Sequence, residues 1–352
     1  QEVLMSLKEI ARRAGTSVST VSRVLNSENY KCSDPELEKR IWQAAQELCY
    51  IPNSAARALQ KGENGNQTAE EKACLFDIFL TRFPSLDQDL FFRELYDALK
   101  KELLKQRCLL GRLLTVPDIT TMMQASTPFS EDGPRADGLI LLGKCPSELI
   151  SPLKNYYHHL VGIDRNPTDF DYDEVVCSGT DAAVTAMDYL ISLGHKKIAY
   201  IGDCSYEARY IGYYQSLINH NLPLDYSNIY PTSQTRQEGM QMMQVILQKK
   251  ELPSAIFCAN DSTALGVFDC LKKHRKRGYI PSVISIDNIQ ESEETKPMLT
   301  TIDIPKKEMA HHAVLLLLDH IGGGHKTPCG WNFPAGSSSG RAVPTAPDRK
   351  IR

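Results

Sequence analysis

The sequence predicts a two-part molecule: a small all-α head of helix-turn-helix type, then a larger α/β body of two lobes built on parallel sheets. Three observations carry this. Residues 6–26, SLKEIARRAGTSVSTVSRVLN, hold two short apolar helix stripes around a glycine. Residues 61–72, KGENGNQTAEEK, are polar, glycine-containing and aperiodic, which marks a linker. Beyond them, short apolar runs alternate with amphipathic helical stretches, the pattern of βαβ units on a parallel sheet.

In the head, Leu7, Ile10, Ala11 and Ala14 recur at helical spacing, and Ser6 with Glu9 reads as a capping box. Gly15 ends that helix. Ser17 caps a second one, with Val21, Val24 and Leu25 inward and Thr20, Ser22 and Arg23 outward. An ordinary αα-hairpin has the same pattern, so this stretch alone leaves both readings open. Ser33-Asp34-Pro35 supplies a cap and an N1 proline for a third helix. Its stripe is Leu37, Ile41, Ala44, Ala45 and Leu48, and Tyr50-Ile51-Pro52 ends it. Residues 53–60, NSAARALQ, are helix-competent with little to bury, so they fold only on a partner.

In the body, strands are expected at 73–80, 108–114, 138–142 and 159–163, with helical stretches between them, the first at 89–105. A second series follows: helix 180–193, strand 197–201, helix 207–219, strand 227–230, helix 236–249, strand 254–258, helix 261–274 and strand 283–286. Residues 300–304 lead into a last helix, 306–321. So many units exceed one sheet, and two Rossmann-like lobes accommodate them. Ligands bind at the C-terminal strand ends of such sheets, which singles out Leu80-Thr81, Asp164-Arg165, Gly202-Asp203, Asn260-Asp261 and Asp287-Asn288.

Composition narrows the class. The chain has 352 residues, enough for two or three domains, and 42% apolar content fits a globular protein. Net charge is −3, but residues 1–62 hold nine Lys/Arg against seven Asp/Glu, a head of +2 on a body of −5. That asymmetry is compatible with DNA binding. Ten scattered cysteines without a C-x-x-C pair, and no His at metal-ligand spacing, point to reduced thiols in a cytoplasmic protein with no metal and no cofactor. No apolar stretch approaches the ~18 residues needed to cross a bilayer. His158-His159 and His311-His312 are adjacent pairs facing different ways, poor metal sites. The segment GGGHKT at 322–327 lacks a phosphate loop's G-K-[ST] and reads as a helix-ending turn. The basic run 272–277 reads as a solvated helix end. No catalytic constellation emerges from spacing, so an enzyme is not expected.

Several motifs, taken together, are specific. Leu7-Lys8-Glu9-Ile10-Ala11, Ala14-Gly15, Ser17, Thr20 through Asn26 and Tyr50-Ile51-Pro52-Asn53 are joined in the body by Leu193-Gly194-His195, Arg209-x-x-Gly212-Tyr213, Asn260-Asp261 before Ala264-Leu265-Gly266, Ile280-Pro281 and Leu299-Thr300-Thr301. With these, over roughly residues 6–330, the chain resembles the lactose-repressor/galactose-repressor (LacI/GalR) family of bacterial transcription regulators.

The resemblance implies a three-helix head at 5–51, a hinge helix at 52–61, a linker at 62–72 and a periplasmic-binding-protein-like core at 73–335. Lobe 1 takes about 73–165 plus 304–335, and lobe 2 about 166–303. It implies that Val18, Ser19 and Arg23 meet base edges in the major groove. An arginine can fork onto guanine O6 and N7, and a valine can touch a thymine methyl. Thr20, Ser22, Asn26 and Arg57 would hold phosphates. Leu59 would wedge the minor groove from a hinge that pairs with its two-fold mate; packing on the core is its alternative. Around the effector cleft it places Arg209, Asp287, Asp261, Asn260 and Asp164, with Phe83 to stack on a sugar ring. Asp261 is also well placed simply to cap its helix. Carboxylates, amides and a guanidinium suit a polyhydroxylated ligand.

The expected partners are therefore a palindromic double-stranded operator, a small-molecule effector of sugar type and a second copy of the chain, with no membrane. The expected function is a repressor of sugar-utilisation genes, its DNA affinity set by that effector. Control by a protein corepressor or a nucleobase-type ligand is the alternative, and a sugar-binding transport protein a more distant one. One departure stands out. After Phe333 the family's closing apolar strand is missing, and residues 336–352 read as a disordered tail such as a shifted reading frame would produce.

Overall fold

The computed structural model describes residues 7–26, 32–48, 50, 74–124, 135–168, 171–205, 207–274 and 278–334. The hinge and linker expected at 52–72 and the tail expected at 336–352 lie outside these.

The head is three helices: α1 (Leu7–Ala14), α2 (Val18–Asn26) and α3 (Pro35–Glu47). Asp34 caps α3 by accepting the Glu36 and Leu37 amides at 3.0 and 3.2 Å, with Pro35 at N1 as expected. The stripes close one small core, with Ile10, Val21, Ile41 and Ala45 wholly buried. Trp42 is also buried, although it lies beside the expected α3 stripe. Bulk explains this, because an indole reaches across a neighbouring helix row.

Lobe 1 carries six parallel strands in the order β11-β5-β4-β3-β1-β2. They are β1 (Leu75–Leu80), β2 (Leu109–Thr115), β3 (Gly138–Leu142), β4 (Leu160–Asp164), β5 (Asp173–Cys177) and β11 (Gly330–Phe333). Helices α4 (Leu90–Lys105), α5 (Val116–Gln124) and α6 (Ser147–Tyr156) connect them. β1, β3 and β4 are buried throughout, as a sheet covered on both faces requires. The one charge in β1, Asp77, is matched by a forked Arg112 (3.1 and 2.7 Å) and the Tyr157 hydroxyl (2.6 Å).

Lobe 2 carries five parallel strands in the order β10-β9-β8-β6-β7. They are β6 (Ile198–Gly202), β7 (Ile229–Pro231), β8 (Ala255–Cys258), β9 (Ser282–Asp287) and β10 (Thr300–Asp303). Helices α7 (Gly179–Ser192), α8 (Ala208–Asn219), α9 (Arg236–Ile246), α10 (Asp261–Lys273) and the single turn α11 (Gln290–Glu293) flank them. The last helix, α12 (Lys306–Ile321), returns to pack on lobe 1 beside β4 and β5.

Two differences from the sequence reading concern lobe 1. Its sheet runs past the boundary expected near residue 166, because β5 pairs with β4 from Val161↔Asp173 to Asp164↔Val176. Its short segment, DEVVC, begins with two acids and carries no helical or alternating signal. A closing strand also exists before Phe333 rather than after it: β11 pairs with β5 over Gly330–Phe333.

The body motifs are mostly packing devices. Imidazole His195 bridges the Ser254 and Ser282 hydroxyls at 2.9 Å each, tying together the entries to β8 and β9. A Cβ on Gly266 would lie 1.9 Å from the Arg236 carbonyl, so this glycine lets α10 press against α9. The head rests on lobe 1 through α3: Gln46 Nε2 donates to the Lys100 carbonyl at 2.9 Å, and Arg107 pairs with Glu38 at 2.7 Å.

Candidate functional site

Two surfaces gather the expected residues, one on the head and one between the lobes. On the head, Gly15 takes φ +68° and turns the chain out of α1, a conformation open to a residue without Cβ. Ser17 Oγ then accepts the Thr20 amide at 3.1 Å and lies 2.9 and 2.8 Å from the Ser19 and Thr20 hydroxyls. α2 buries Val21, Val24 and Leu25 and leaves Ser19 and Arg23 exposed, with Thr20 and Ser22 half-buried at the flanks.

Val18 is the informative residue. Helical spacing with Val21 and Leu25 would bury it, yet it is 40% exposed. Position in the first turn explains this: the chain enters α2 here, before the third helix covers that side. Arg23 Nε donates to the Ser19 carbonyl at 3.3 Å, so the arginine leans back toward the same turn. Arg12 and Arg13 of α1 differ in kind. Both bond Glu9, and the Arg12 guanidinium brings the Glu9 carboxyl down to about 2. The Asn26 side chain, Arg57 and Leu59 lie outside the described residues.

The second surface is an open cleft of about 510 Å³ at the C-terminal strand ends of both lobes. Arg82 enters it from the turn after β1, Lys144–Pro146 from the turn after β3 with Ser147 and Glu148 from the start of α6, and Asp164 with Asn166 from the end of β4. Lobe 2 contributes Asp203, Ser205 and Glu207 from the turn after β6. Four carboxylates (Glu148, Asp164, Asp203, Glu207) thus face two cations (Arg82, Lys144).

Of the six expected cleft residues, Asp164 alone lines this cavity. Arg209 lies directly beneath it, fully buried. Its Nε donates to Glu207 Oε1 at 2.6 Å, and its terminal nitrogens to the Ala259 carbonyl and to Gln234 Oε1 at 2.8 Å each. Burial opposes the charge on Glu207, but the Arg209 guanidinium outweighs it and holds the carboxyl down at about 2. Arg209 therefore fixes a charged rim residue in place. Asn260 caps α10, accepting the Thr263 amide and hydroxyl at 2.9 and 2.6 Å, and donates to the Gln234 carbonyl at 3.1 Å.

Asp261, also wholly buried, accepts the Thr301 hydroxyl and the Ile289 amide at 2.6 and 2.9 Å and the Ser285 hydroxyl as well. Burial, with Asp287 adding, pushes its carboxyl up to about 7. Asp287 joins the lobes: it pairs with Arg165, whose guanidinium lies 4.3 Å from the centre of the Phe91 ring. Its φ of +126° is strained for a residue with a side chain. Lys306 secures the strained turn by donating to the Asp287 and Asn288 carbonyls at 2.6 and 3.0 Å. Phe83 is half-buried against the core with Arg82 over its ring at 5.4 Å, so it supports the cleft wall from behind.

Two more contacts cross between the lobes. Arg93 pairs with Glu291 at 2.8 Å, and Glu94 accepts the Gln290 amide at 2.7 Å while pairing with Lys306 at 3.2 Å. The strand-end rule pointed to Asp164 and Asp203. The remaining lining residues sit two to six positions beyond the last residue of their strand, in turns with no periodic signal and at the start of α6.

Against known proteins, residues 6–53 match the bacterial regulatory proteins of the lacI family, and residues 187–336 match a periplasmic binding protein-like domain. The NTD biosynthesis operon regulator NtdR of Bacillus subtilis (strain 168) is 31% identical over 336 residues, covering 90% of this chain and 93% of that protein. Among solved structures, the CelR–cellobiose complex superposes with a TM-score of 0.65 at 19% identity, covering 94% of this chain and 97% of that one. The lac repressor dimer bound to operator and the anti-inducer ONPF gives 0.63 at 19% identity, covering 94% and 96%.

Proposed function

The chain belongs to the lacI family of bacterial regulatory proteins, as a transcriptional repressor with a DNA-binding head and an effector-binding core, and from that premise we propose that it reads a palindromic operator as a homodimer under the control of a sugar held in the cleft. In this reading Arg23 forks onto a guanine and Val18 meets a thymine methyl, with Ser19 between them. Thr20, Ser22 and Asn26 hold phosphates and set the register. Arg57 and Leu59, outside the described residues, extend the contact into the minor groove. A two-fold dimer matches a palindromic site, and the similar lac repressor structure is a dimer bound to operator.

The observation that carries the proposal is a pairing within one chain. An exposed, serine-capped helix face with Val18, Ser19 and Arg23 stands at one end, and a polar cleft between two lobes at the other. Hydroxyl-rich ligands suit the cleft, because its carboxylates and Asn166 accept and donate to adjacent hydroxyls. Four carboxylates against two cations favour a neutral or cationic sugar over a phosphorylated one.

An effector acts by binding one lobe arrangement better than the other. The Arg165–Asp287 and Arg93–Glu291 pairs and the hydrogen bond from the Gln290 amide to Glu94 are the contacts that such a change would remake. The test uses purified protein, palindromic sites from its own promoter region, and a panel of neutral, amino and phosphorylated sugars. Retarded migration of one such site, altered by a sugar that also raises the unfolding temperature, is expected. Failure to bind any palindromic site overturns the proposal.

A further inference from the structure

One cluster of chemistry-bearing residues lies outside both surfaces, on the far side of lobe 1. Asp173 opens β5 and is fully buried, although among the described residues it has no lysine or arginine partner. Imidazoles surround it instead. His325 Nε2 lies 3.1 and 3.0 Å from its two carboxylate oxygens, and His320 Nδ1 lies 3.3 Å from one of them. The Cys329 amide donates to Asp173 at 2.8 Å, which brings that thiol to the same point. An oxygen of Asp173, a nitrogen of His325 and the sulfur of Cys329 all lie within 4.8 Å of one another.

Two further observations favour a bound cation over a simple ion pair. Asp319 Oδ2 sits 2.6 Å from His325 Nδ1 and accepts its proton in a hydrogen bond, while Nε2 donates to Asp173; a cation bound at Nε2 takes the place of that second proton, and Asp319 stays behind the ring. A carboxylate behind a histidine in this way is the usual support for a metal-binding imidazole. Among the described residues His320 Nδ1 is buried without a hydrogen-bond partner, although it faces a carboxylate. Such an orphaned nitrogen is costly unless something occupies its lone pair.

We propose that Asp173, His325 and Cys329, with His320 beside them, form a divalent transition-metal site that clamps the closing strand of lobe 1. One oxygen, imidazole nitrogens and one thiolate form a borderline-soft donor set, which suits zinc and excludes magnesium or calcium. On binding, the cation displaces the thiol proton of Cys329 and any proton on His325, and both protons go to solvent. The metal joins β5, the end of α12 and the segment leading into β11. β11 is a four-residue edge strand whose sole strand partner among the described residues is β5.

The experiment uses the full chain, stripped with a chelator and titrated with cobalt(II) chloride as a spectroscopic probe, then with zinc chloride. One equivalent of cobalt should give thiolate-to-metal charge-transfer absorption, which zinc then abolishes. Zinc should also raise the unfolding temperature by several degrees. Cys329→Ser, whose sulfur makes only a weak 3.4 Å contact to the Thr327 carbonyl, should retain the fold, lose the absorption and bind zinc at least tenfold more weakly. His325→Gln should do the same. Absence of a cobalt–thiolate band overturns the proposal. So does an undiminished band in Cys329→Ser, or an unfolding temperature indifferent to zinc.

Discussion

The head and the body put their motifs to opposite uses. In α2 the motif residues Ser19 and Arg23 are at the surface, and even Val18 is 40% exposed. In the body, Arg209, Asn260, Asp261 and Asp287 are each buried to 3% exposure or less and bonded to neighbouring residues. The motif residues of the head are therefore presented at the surface, where the proposed reading has them meet DNA. Those of the body build the floor beneath the less regular residues that line the cleft. A reader helix needs little beyond its own periodicity and cap to present side chains. A cleft at parallel strand ends is made of turns, and their positions depend on buried polar bonds beneath them.

Four substitutions sharpen or break that contrast. Arg209→Ala should have the largest effect, because it leaves Glu207 charged and buried without its partner. A loss of about 3–5 kcal/mol is expected for breaking such a pair, read as a fall in the urea midpoint. Unchanged stability with abolished ligand binding would instead make Arg209 a direct ligand contact.

Asp261→Asn tests the floor through pH. The folded carboxyl sits at about 7 against an ordinary 3.8, so between those values the folded state keeps a proton that the unfolded chain has released. This contribution to stability is full below about pH 4 and is lost as the pH rises through 7. The urea midpoint of the native chain relative to Asp261→Asn should accordingly decline from pH 4 to 7 and level off above it. A difference independent of pH would remove Asp261 from this role.

Arg23→Ala tests the head. It should cost about 1–3 kcal/mol of discrimination at one base pair and leave the unfolding temperature unchanged. Equal weakening on every sequence would make Arg23 a phosphate contact. Asp164→Asn should have the smallest effect on stability, within about 0.5 kcal/mol, since Asp164 lines the cleft and its one side-chain bond among the described residues is a 3.3 Å contact from Asn166. Its effect should appear as weaker ligand binding in a thermal-shift titration. A large loss of stability would place Asp164 with the floor residues.

The same contrast governs what the sequence made legible. The three head helices, their caps at Ser17 and Asp34 and the outward face of α2 follow from local periodicity and capping. Parallel strands such as β1 and β4 declared themselves as continuous apolar runs. β5 did not, because DEVVC is too short and too acidic at its start to stand out, and with it went the lobe boundary. Expectation placed Arg209, Asn260, Asp261 and Asp287 near the effector, and they do stand close to the cleft, but below its surface. Burial of a charged residue depends on partners far along the chain, such as Gln234 for Arg209 and Arg165 for Asp287. The Asp173 cluster was invisible for the same reason, since 152 positions separate Asp173 from His325.

The central claim is that the cleft and the α2 face belong to one coupled device. It is tested most directly by measuring operator affinity by fluorescence anisotropy, with and without a sugar that raises the unfolding temperature. Operator Kd should change by roughly 5–150-fold, the span of ordinary allosteric coupling, and the change should disappear in a cleft variant that no longer binds the sugar. A sugar that saturates the cleft while leaving the operator Kd unchanged would contradict it.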